Sequence, residues 1–217
     1  MNPLTVLDEA DALFQATVRR FARERIAPHV RSMDELGVFR ADILRELFEL
    51  GLMSIEIPEE YGGQEGSFFQ SIVAIEELAR VYASAALIVD VQNTLCVKAV
   101  LQYGSPEQKR RVLPGACRDA VGSYAVSEAG AGSDAFAMTT SATAEGDGYR
   151  LNGRKLWITN AAEASFFLPL PSAGFLAAFA AFSAPASAVF TFSSDTTSSP
   201  SVRIHVRGMD SASGLVR

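Results

Sequence analysis

The segment of residues 124–134, YAVSEAGAGSD, combines the groups that a polar ligand needs. Strand-forming residues lead into a Gly-Ala-Gly turn, where the backbone can approach a ligand closely. Ser127 and Ser133 add hydroxyls, and successive N–H groups in such a turn can bind an anion. An ordinary β-turn of small residues has the same pattern. Gly130 and Gly132 lack the third glycine and the following helix of a dinucleotide-binding fingerprint.

A second candidate segment, LWITN at residues 156–160, contains Trp157, the only tryptophan of the chain. The pattern of residues 155–159 predicts a strand. A tryptophan in a strand more often belongs to the core than to a ligand site. This segment therefore indicates a binding site only in combination with other features.

Other reactive residues give weaker signals. Cys96 and Cys117 are far apart in sequence with no histidine near, which argues against a metal site and a disulfide framework. The chain has only two histidines, which excludes a His-rich metal site. Glu76 and Glu77 fall on a predicted helix with apolar neighbours, where partial burial of one of them is an alternative but a surface role is the default expectation.

Composition limits the classes of function. The 217 residues include 48% hydrophobic and 20% charged residues, as in a globular protein of one or two domains. The net charge of −6 argues against nucleic-acid binding, which requires a basic face. The amino terminus shows no signal or transit peptide, so we expect a cytoplasmic protein without a membrane partner.

The elements that position these segments follow from the spacing of apolar residues. Residues 5–112 repeat them at helical intervals, with helices expected to end at Pro28 and Gly51 and to cover 67–82, 84–103 and 106–111. From residue 121 the spacing becomes strand-like. A hairpin is predicted at 141–151, around a Gly-rich turn. A helical block followed by a β block indicates an α+β fold.

The composition changes again near residue 168. Only five of the charged residues lie in 169–217, which is rich in Ser, Ala, Pro and Phe. A reading-frame shift, a natural divergent tail and a membrane anchor would each explain this change. The anchor is the least favoured of the three, because the apolar run 173–182 is short for a span. We expect the tail to pack poorly on the rest of the chain.

Taken together, these features resemble the acyl-CoA dehydrogenase family. The resemblance runs from about residue 5 to 168. It rests on PEEYGG at 58–63, VQNTL at 91–95, YAVSEAGAGSD and LNGRKLWITN. The motifs look closest to those of the short- and branched-chain members.

The resemblance implies a helical amino-terminal domain at 1–116, part of a β-barrel-like middle domain at 117–168 and an atypical tail at 169–217. The family's carboxy-terminal four-helix domain would be absent. The family's catalytic carboxylate belongs to that domain, so we expect no catalytic base before Arg217. We also expect no metal site. Most of the family's homo-oligomer interface would be missing as well.

The resemblance also implies FAD as the cofactor. Val126 and Ser127 would address the pyrimidine edge of the flavin, Trp157 would pack on its face, and Thr159 would bond near the N5 edge. Ser133 would contact the pantetheine part of an acyl-CoA substrate. The full set of implied flavin-contacting residues is Tyr124, Ala125, Val126, Ser127, Glu128, Ala129, Gly130, Ala131, Gly132, Ser133, Trp157, Ile158 and Thr159.

The implied activity is α,β-dehydrogenation of acyl-CoA thioesters. Electrons would pass from the flavin to an electron-transferring flavoprotein. Because the base would be missing, we expect this chain to be inactive alone. A non-catalytic helical interaction module or a ligand-binding remnant is the alternative function.

Overall fold

Helices form the first part of the chain, in a computed structural model that describes residues 6–145, 148–172 and 201–203. The α-helices are α1 (Glu9–Phe21), α2 (Val30–Leu36), α3 (Ala41–Glu49), α4 (Phe68–Ala79), α5 (Ala83–Asp90), α6 (Lys98–Tyr103) and α7 (Pro106–Ala116). Two π-helical segments, Ala22–Ile26 and Val91–Val97, continue α1 and α5. Single 3-10 turns occur at Ala27–His29, Glu59–Tyr61 and Ala135–Ala137.

Strands form the second part. They are β1 (Gly122–Ala125), β2 (Ser141–Glu145), β3 (Gly148–Asn152), β4 (Arg154–Leu156), β5 (Phe166–Pro169) and β6 (Ser201–Arg203). β1 pairs with β5, β2 with β3, and β4 with β6. The β2–β3 hairpin is antiparallel with Ser141 opposite Asn152, which confirms the predicted hairpin.

The chain divides into a helical unit, Met1–Gly122, and a β unit, Ser123–Arg217. This division confirms the predicted α+β fold. The core of the helical unit is built from apolar residues that recur every three or four positions on α1, α3, α4 and α5. Its fully buried members include Ile26, Ile43, Leu47, Met53 and Leu78.

Polar caps fix the ends of several helices. Ser67 and Gln70 form a reciprocal capping box at the start of α4, and Ser105 and Gln108 form another at α7. Gly51 has a φ of +73° just after α3, a conformation that costs glycine little. The predicted helix end at Gly51 is therefore confirmed.

Pro28 ends the first helix as predicted, because α1 and its π-helical continuation stop at Ile26 and Pro28 lies in the 3-10 turn before α2. Two other sequence predictions of element ends are wrong. The helix predicted at 106–111 continues to Ala116 and includes Pro114. The strand predicted at 155–159 ends at Leu156, because Trp157 leaves the extended conformation.

Two buried amides fasten the π-helical segment Val91–Val97 inside the helical unit. Asn93 donates to the carbonyls of Leu52 and Val89 at 2.8 and 2.9 Å and accepts from Ile55 N–H at 3.0 Å. Gln92 accepts from the Gly122 N–H at 2.7 Å. The side-chain amide of Asn93 therefore has protein partners for both its oxygen and its nitrogen, as a buried amide requires.

A buried carboxylate joins α1 to α4. Glu77 has no exposed side-chain surface, and both its oxygens accept from the guanidinium of Arg19 at 2.8 Å. The expectation of a surface position for Glu77 is therefore wrong. Such two-bonded Arg–carboxylate pairs combine charge with fixed geometry.

The continuous helical run Ala83–Tyr103 is long and apolar enough to cross a membrane, by length and composition only. Half of its most apolar stretch is buried inside the protein. A core helix of a bundle has the same character, as the sequence predicted for 84–103. The predictions for the tail, 169–217, fall mostly outside the described residues.

Candidate functional site

The β unit brings the two candidate segments side by side. The Leu156 N–H donates to the carbonyl of Ser127 at 2.9 Å. Four residues before Ser127, in β1 and next to the first segment, the buried hydroxyl of Ser123 donates to the carbonyl of Thr159 at 2.6 Å. Segments separated by about thirty residues in sequence are thus joined by two hydrogen bonds.

A tight turn follows the end of β1. Glu128 and Ala131 exchange both backbone N–H···O bonds, each 3.1 Å long. Gly130 and Gly132 lie exposed in and beside this turn, and a Cβ on either would meet no atom within 4 Å. Neither glycine has a positive φ. Packing inside the protein therefore does not require glycine here, and the space beside the turn is open to a ligand.

The Glu128 carboxylate connects this turn to the residues just before β2. One oxygen accepts from the N–H and the hydroxyl of Thr139, at 2.7 and 2.8 Å. The other accepts from the N–H of Thr140 at 3.0 Å and from its hydroxyl. The carboxylate thus holds the start of β2 against the turn.

Lys155 completes this cluster from β4. Its side chain is fully buried, and its ammonium group donates to an oxygen of Glu128 at 2.9 Å. The same nitrogen donates to the carbonyls of Val126 at 2.9 Å and Leu170 at 2.6 Å. The sulfur of Met138 lies 3.3 Å away. The three acceptors match the three N–H groups of an ammonium ion.

The electrostatics of Glu128 follow from these contacts. Burial alone would raise the pKa of this carboxyl. The hydrogen bonds from Thr140, Lys155 and Thr139 outweigh burial, so its pKa lies well below its ordinary value. Glu128 is therefore a carboxylate at neutral pH and a poor proton acceptor.

Trp157 is the most unusual residue of the second segment. It has a φ of +57°, although a bulky side chain strongly disfavours this region. Its indole is 72% exposed, so it does not belong to the core as a strand tryptophan would. Asn160, three residues later, also has a positive φ of +63°. Strained backbone of this kind is concentrated at functional sites.

The remaining candidates differ in exposure. Ala125 and Ala131 are buried, and Ser133 is exposed. The half-buried members are Tyr124, Val126, Ser127, Ile158 and Thr159. The sequence motifs did not indicate that Lys155, Thr139 and Thr140 form a group. The available signal was a lysine inside an otherwise strand-like run, where an apolar residue is usual.

Family comparison identifies the class of protein. The sequence model of the acyl-CoA dehydrogenase N-terminal domain matches residues 8–120, and that of the middle domain matches residues 123–204. The chain therefore belongs to the acyl-CoA dehydrogenase family. The middle-domain match extends beyond residue 168, where sequence analysis had ended the resemblance.

Individual relatives agree with this assignment. The chain is 43% identical over 179 residues to the short/branched chain specific acyl-CoA dehydrogenase, mitochondrial, of Bos taurus, covering 82% of this chain and 41% of that protein. A probable short/branched chain specific acyl-CoA dehydrogenase of Dictyostelium discoideum is 44% identical, with 81% and 44% covered. The chain thus spans less than half the length of these curated relatives.

A solved structure shares the fold. Butyryl-CoA dehydrogenase from Megasphaera elsdenii matches with a TM-score of 0.70 and 31% identity, covering 75% of this chain and 44% of that chain.

Proposed function

We propose that this chain supplies FAD-binding and acyl-CoA-binding residues of an acyl-CoA dehydrogenase. The reaction would be α,β-dehydrogenation of an acyl-CoA thioester, with an electron-transferring flavoprotein as electron acceptor. One observation carries the proposal. The bond from Leu156 N–H to the Ser127 carbonyl joins the two segments that the family resemblance assigns to the flavin.

The exposed groups of both segments fit a flavin. Open space beside Gly130 and Gly132 allows a close approach to the backbone. The exposed indole of Trp157 offers a flat apolar surface, and the half-buried Ser127 and Thr159 offer hydroxyls. When bound, FAD would accept the hydride from the β carbon, while these residues bind and orient it.

The residues we assign to FAD lie in two ranges, 124–133 and 157–159. Within the first range, the Glu128 carboxylate is occupied by its protein partners, and its backbone N–H and carbonyl are bonded to Ala131. We therefore assign Glu128 to holding the turn that faces the cofactor. Ser133 is exposed, as a contact for the substrate's pantetheine requires.

We further propose that this chain has no turnover alone. The two buried carboxylates among the described residues, Glu77 and Glu128, are both held in ion pairs. The Arg19 guanidinium lowers the pKa of Glu77, and a lowered pKa makes a weak base. The cytoplasmic location stays a prediction. The bovine relative is named as mitochondrial.

Flavin binding tests this proposal. The purified chain, mixed with FAD and passed through a desalting column, should elute with the visible absorbance of a bound flavin. Gly132→Val should abolish this absorbance, because its side chain would enter the open space beside the turn, where an added Cβ meets no protein atom within 4 Å. Ala10→Leu, an exposed change on α1, is the matched control and should retain the flavin.

The alternative, a helical interaction module or a remnant without cofactor, predicts no flavin in any variant. Flavin retained equally by Gly132→Val would contradict the assigned site. Robust dye reduction with butyryl-CoA or a branched acyl-CoA by the chain alone would contradict its predicted inactivity.

A further inference from the structure

Lys155 ties together three parts of the β unit that are distant in sequence. Its ammonium reaches the carbonyl after β1 (Val126), the carboxylate in the turn (Glu128) and the carbonyl after β5 (Leu170). Lysine is almost never fully buried unless it is paired, and here all three of its N–H groups are used.

These bonds decide what the neighbouring backbone can offer a ligand. The carbonyl of Val126 accepts from Lys155, and the carbonyl of Ser127 accepts from the Leu156 N–H. Both acceptors are therefore engaged inside the protein. With both carbonyls engaged, the half-buried Ser127 hydroxyl is the donor of this edge that we expect to meet a ligand. Such a donor edge suits a ligand rich in acceptors, as is the pyrimidine end of a flavin.

Stability alone does not explain a buried ion pair. Removing two charges from water costs about as much as their attraction returns, and apolar side chains of similar size often stabilise as well. A buried pair is better suited to specifying one arrangement of the chain segments that it joins. In this case those segments include both halves of the candidate site.

We propose that Lys155 is a positioning residue for the flavin edge. It holds Val126 and Ser127 with their carbonyls turned inward, which fixes the donor pattern that the cofactor meets. Lys155 acts through these two residues and need not touch the cofactor. This inference rests on the proposed FAD site.

The helical unit offers a matched control. Arg19 and Glu77 also pair a cation with a fully buried carboxylate, but they join α1 to α4 within the helical unit. The variants K155M/E128Q and R19M/E77Q each remove one such pair without leaving a single buried charge. Circular dichroism would confirm that both variants are folded at the temperature of the measurements.

The first measurement is hydrogen exchange without FAD. In K155M/E128Q, the amide of Leu156 should exchange at least about tenfold faster, because its acceptor is no longer held in place. In R19M/E77Q, its exchange should be unchanged. Unchanged exchange of Leu156 in folded K155M/E128Q would overturn the positioning role, whether or not the chain binds FAD.

The second measurement is the dissociation constant for FAD, followed by flavin fluorescence. K155M/E128Q should bind about tenfold more weakly or worse, as expected for the loss of one or two well-placed hydrogen bonds. R19M/E77Q should bind like the unaltered chain. Equal affinity in folded K155M/E128Q would overturn the inference, whereas failure of the unaltered chain to bind FAD would overturn the proposed function.

A second variant covers the case in which K155M/E128Q does not fold. Lys155→Arg keeps the positive charge beside Glu128 but spreads its donors over a planar group, which cannot reach three diverging acceptors from one nitrogen. We expect K155R to fold and to show the same faster Leu156 exchange and weaker FAD binding. Unaltered Leu156 exchange and FAD affinity in K155R would show that a positive charge at this position is enough, which would contradict the proposed role of the three hydrogen bonds.

Discussion

Gly153 packs directly against Thr140, one of the three residues that donate hydrogen bonds to the Glu128 carboxylate. A Cβ at Gly153 would lie 2.2 Å from the Thr140 hydroxyl oxygen and 2.7 Å from its Cα. Glycine is therefore required here by close approach, and its φ is not positive. The link between β3 and β4 thus packs against a residue that holds the Glu128 carboxylate in place.

The first prediction concerns this contact. Gly153→Ala should lower the free energy of unfolding by about 1–3 kcal/mol, because the Thr140 backbone would have to shift. Gly132→Ala is the control and should change it by no more than about 0.5 kcal/mol, since its Cβ meets nothing. Urea denaturation measures both, and equal effects of the two substitutions would contradict the contact.

The second prediction concerns pH. Arg19 lowers the pKa of Glu77 in the folded protein, so the ion pair stabilises the fold fully above the unfolded-state pKa, about 4.3. This stabilisation is lost as the pH falls through the folded-state pKa. Unfolding free energies from pH 7 to 3 should therefore fall more steeply for the unaltered chain than for Glu77→Gln. If the unfolding free energies of the two proteins changed in parallel with pH, Glu77 would not contribute to the pH dependence of stability. Glu128 has a pKa shift in the same direction.

The third prediction uses the single tryptophan. Because Trp157 is largely exposed, the chain's intrinsic fluorescence should be that of a solvated indole, and FAD should quench it. Trp157→Ala should weaken FAD binding while changing stability by no more than about 0.5 kcal/mol. Phe136→Ala removes a fully exposed aromatic from the same unit and should leave FAD binding intact. Equal losses in both variants would argue against a specific role of Trp157.

The fourth prediction concerns the buried amide in the π-helical segment. Asn93→Leu would leave two carbonyls and the Ile55 N–H without their partner. We expect a loss of about 3 kcal/mol in the free energy of unfolding, because each unsatisfied buried group costs about 1–3 kcal/mol. Thr94→Ala removes a hydroxyl that is shared between the backbone carbonyl and the carboxylate of Asp90, and should cost only about 1 kcal/mol. A melt in which Asn93→Leu is no worse than Thr94→Ala would contradict this assignment.

The sequence by itself determined the local elements and the family. Apolar spacing predicted α4 and the helical run through α6, and the Gly-rich turn predicted the β2–β3 hairpin. These features depend on contacts between residues a few positions apart, which is why a linear pattern reveals them. The motif at 124–134 was equally visible, because its residues are consecutive.

Only the tertiary structure decided how charges and strained residues are used. The pairing of Lys155 with Glu128, and of Arg19 with Glu77, joins positions 27 and 58 residues apart. No local spacing specifies such partners, because they depend on which elements pack together. The same holds for Trp157. Strand propensity predicted an extended, buried residue, whereas the structure shows a left-handed, exposed one between Leu156 and Thr159, which are both bonded to the chain around β1.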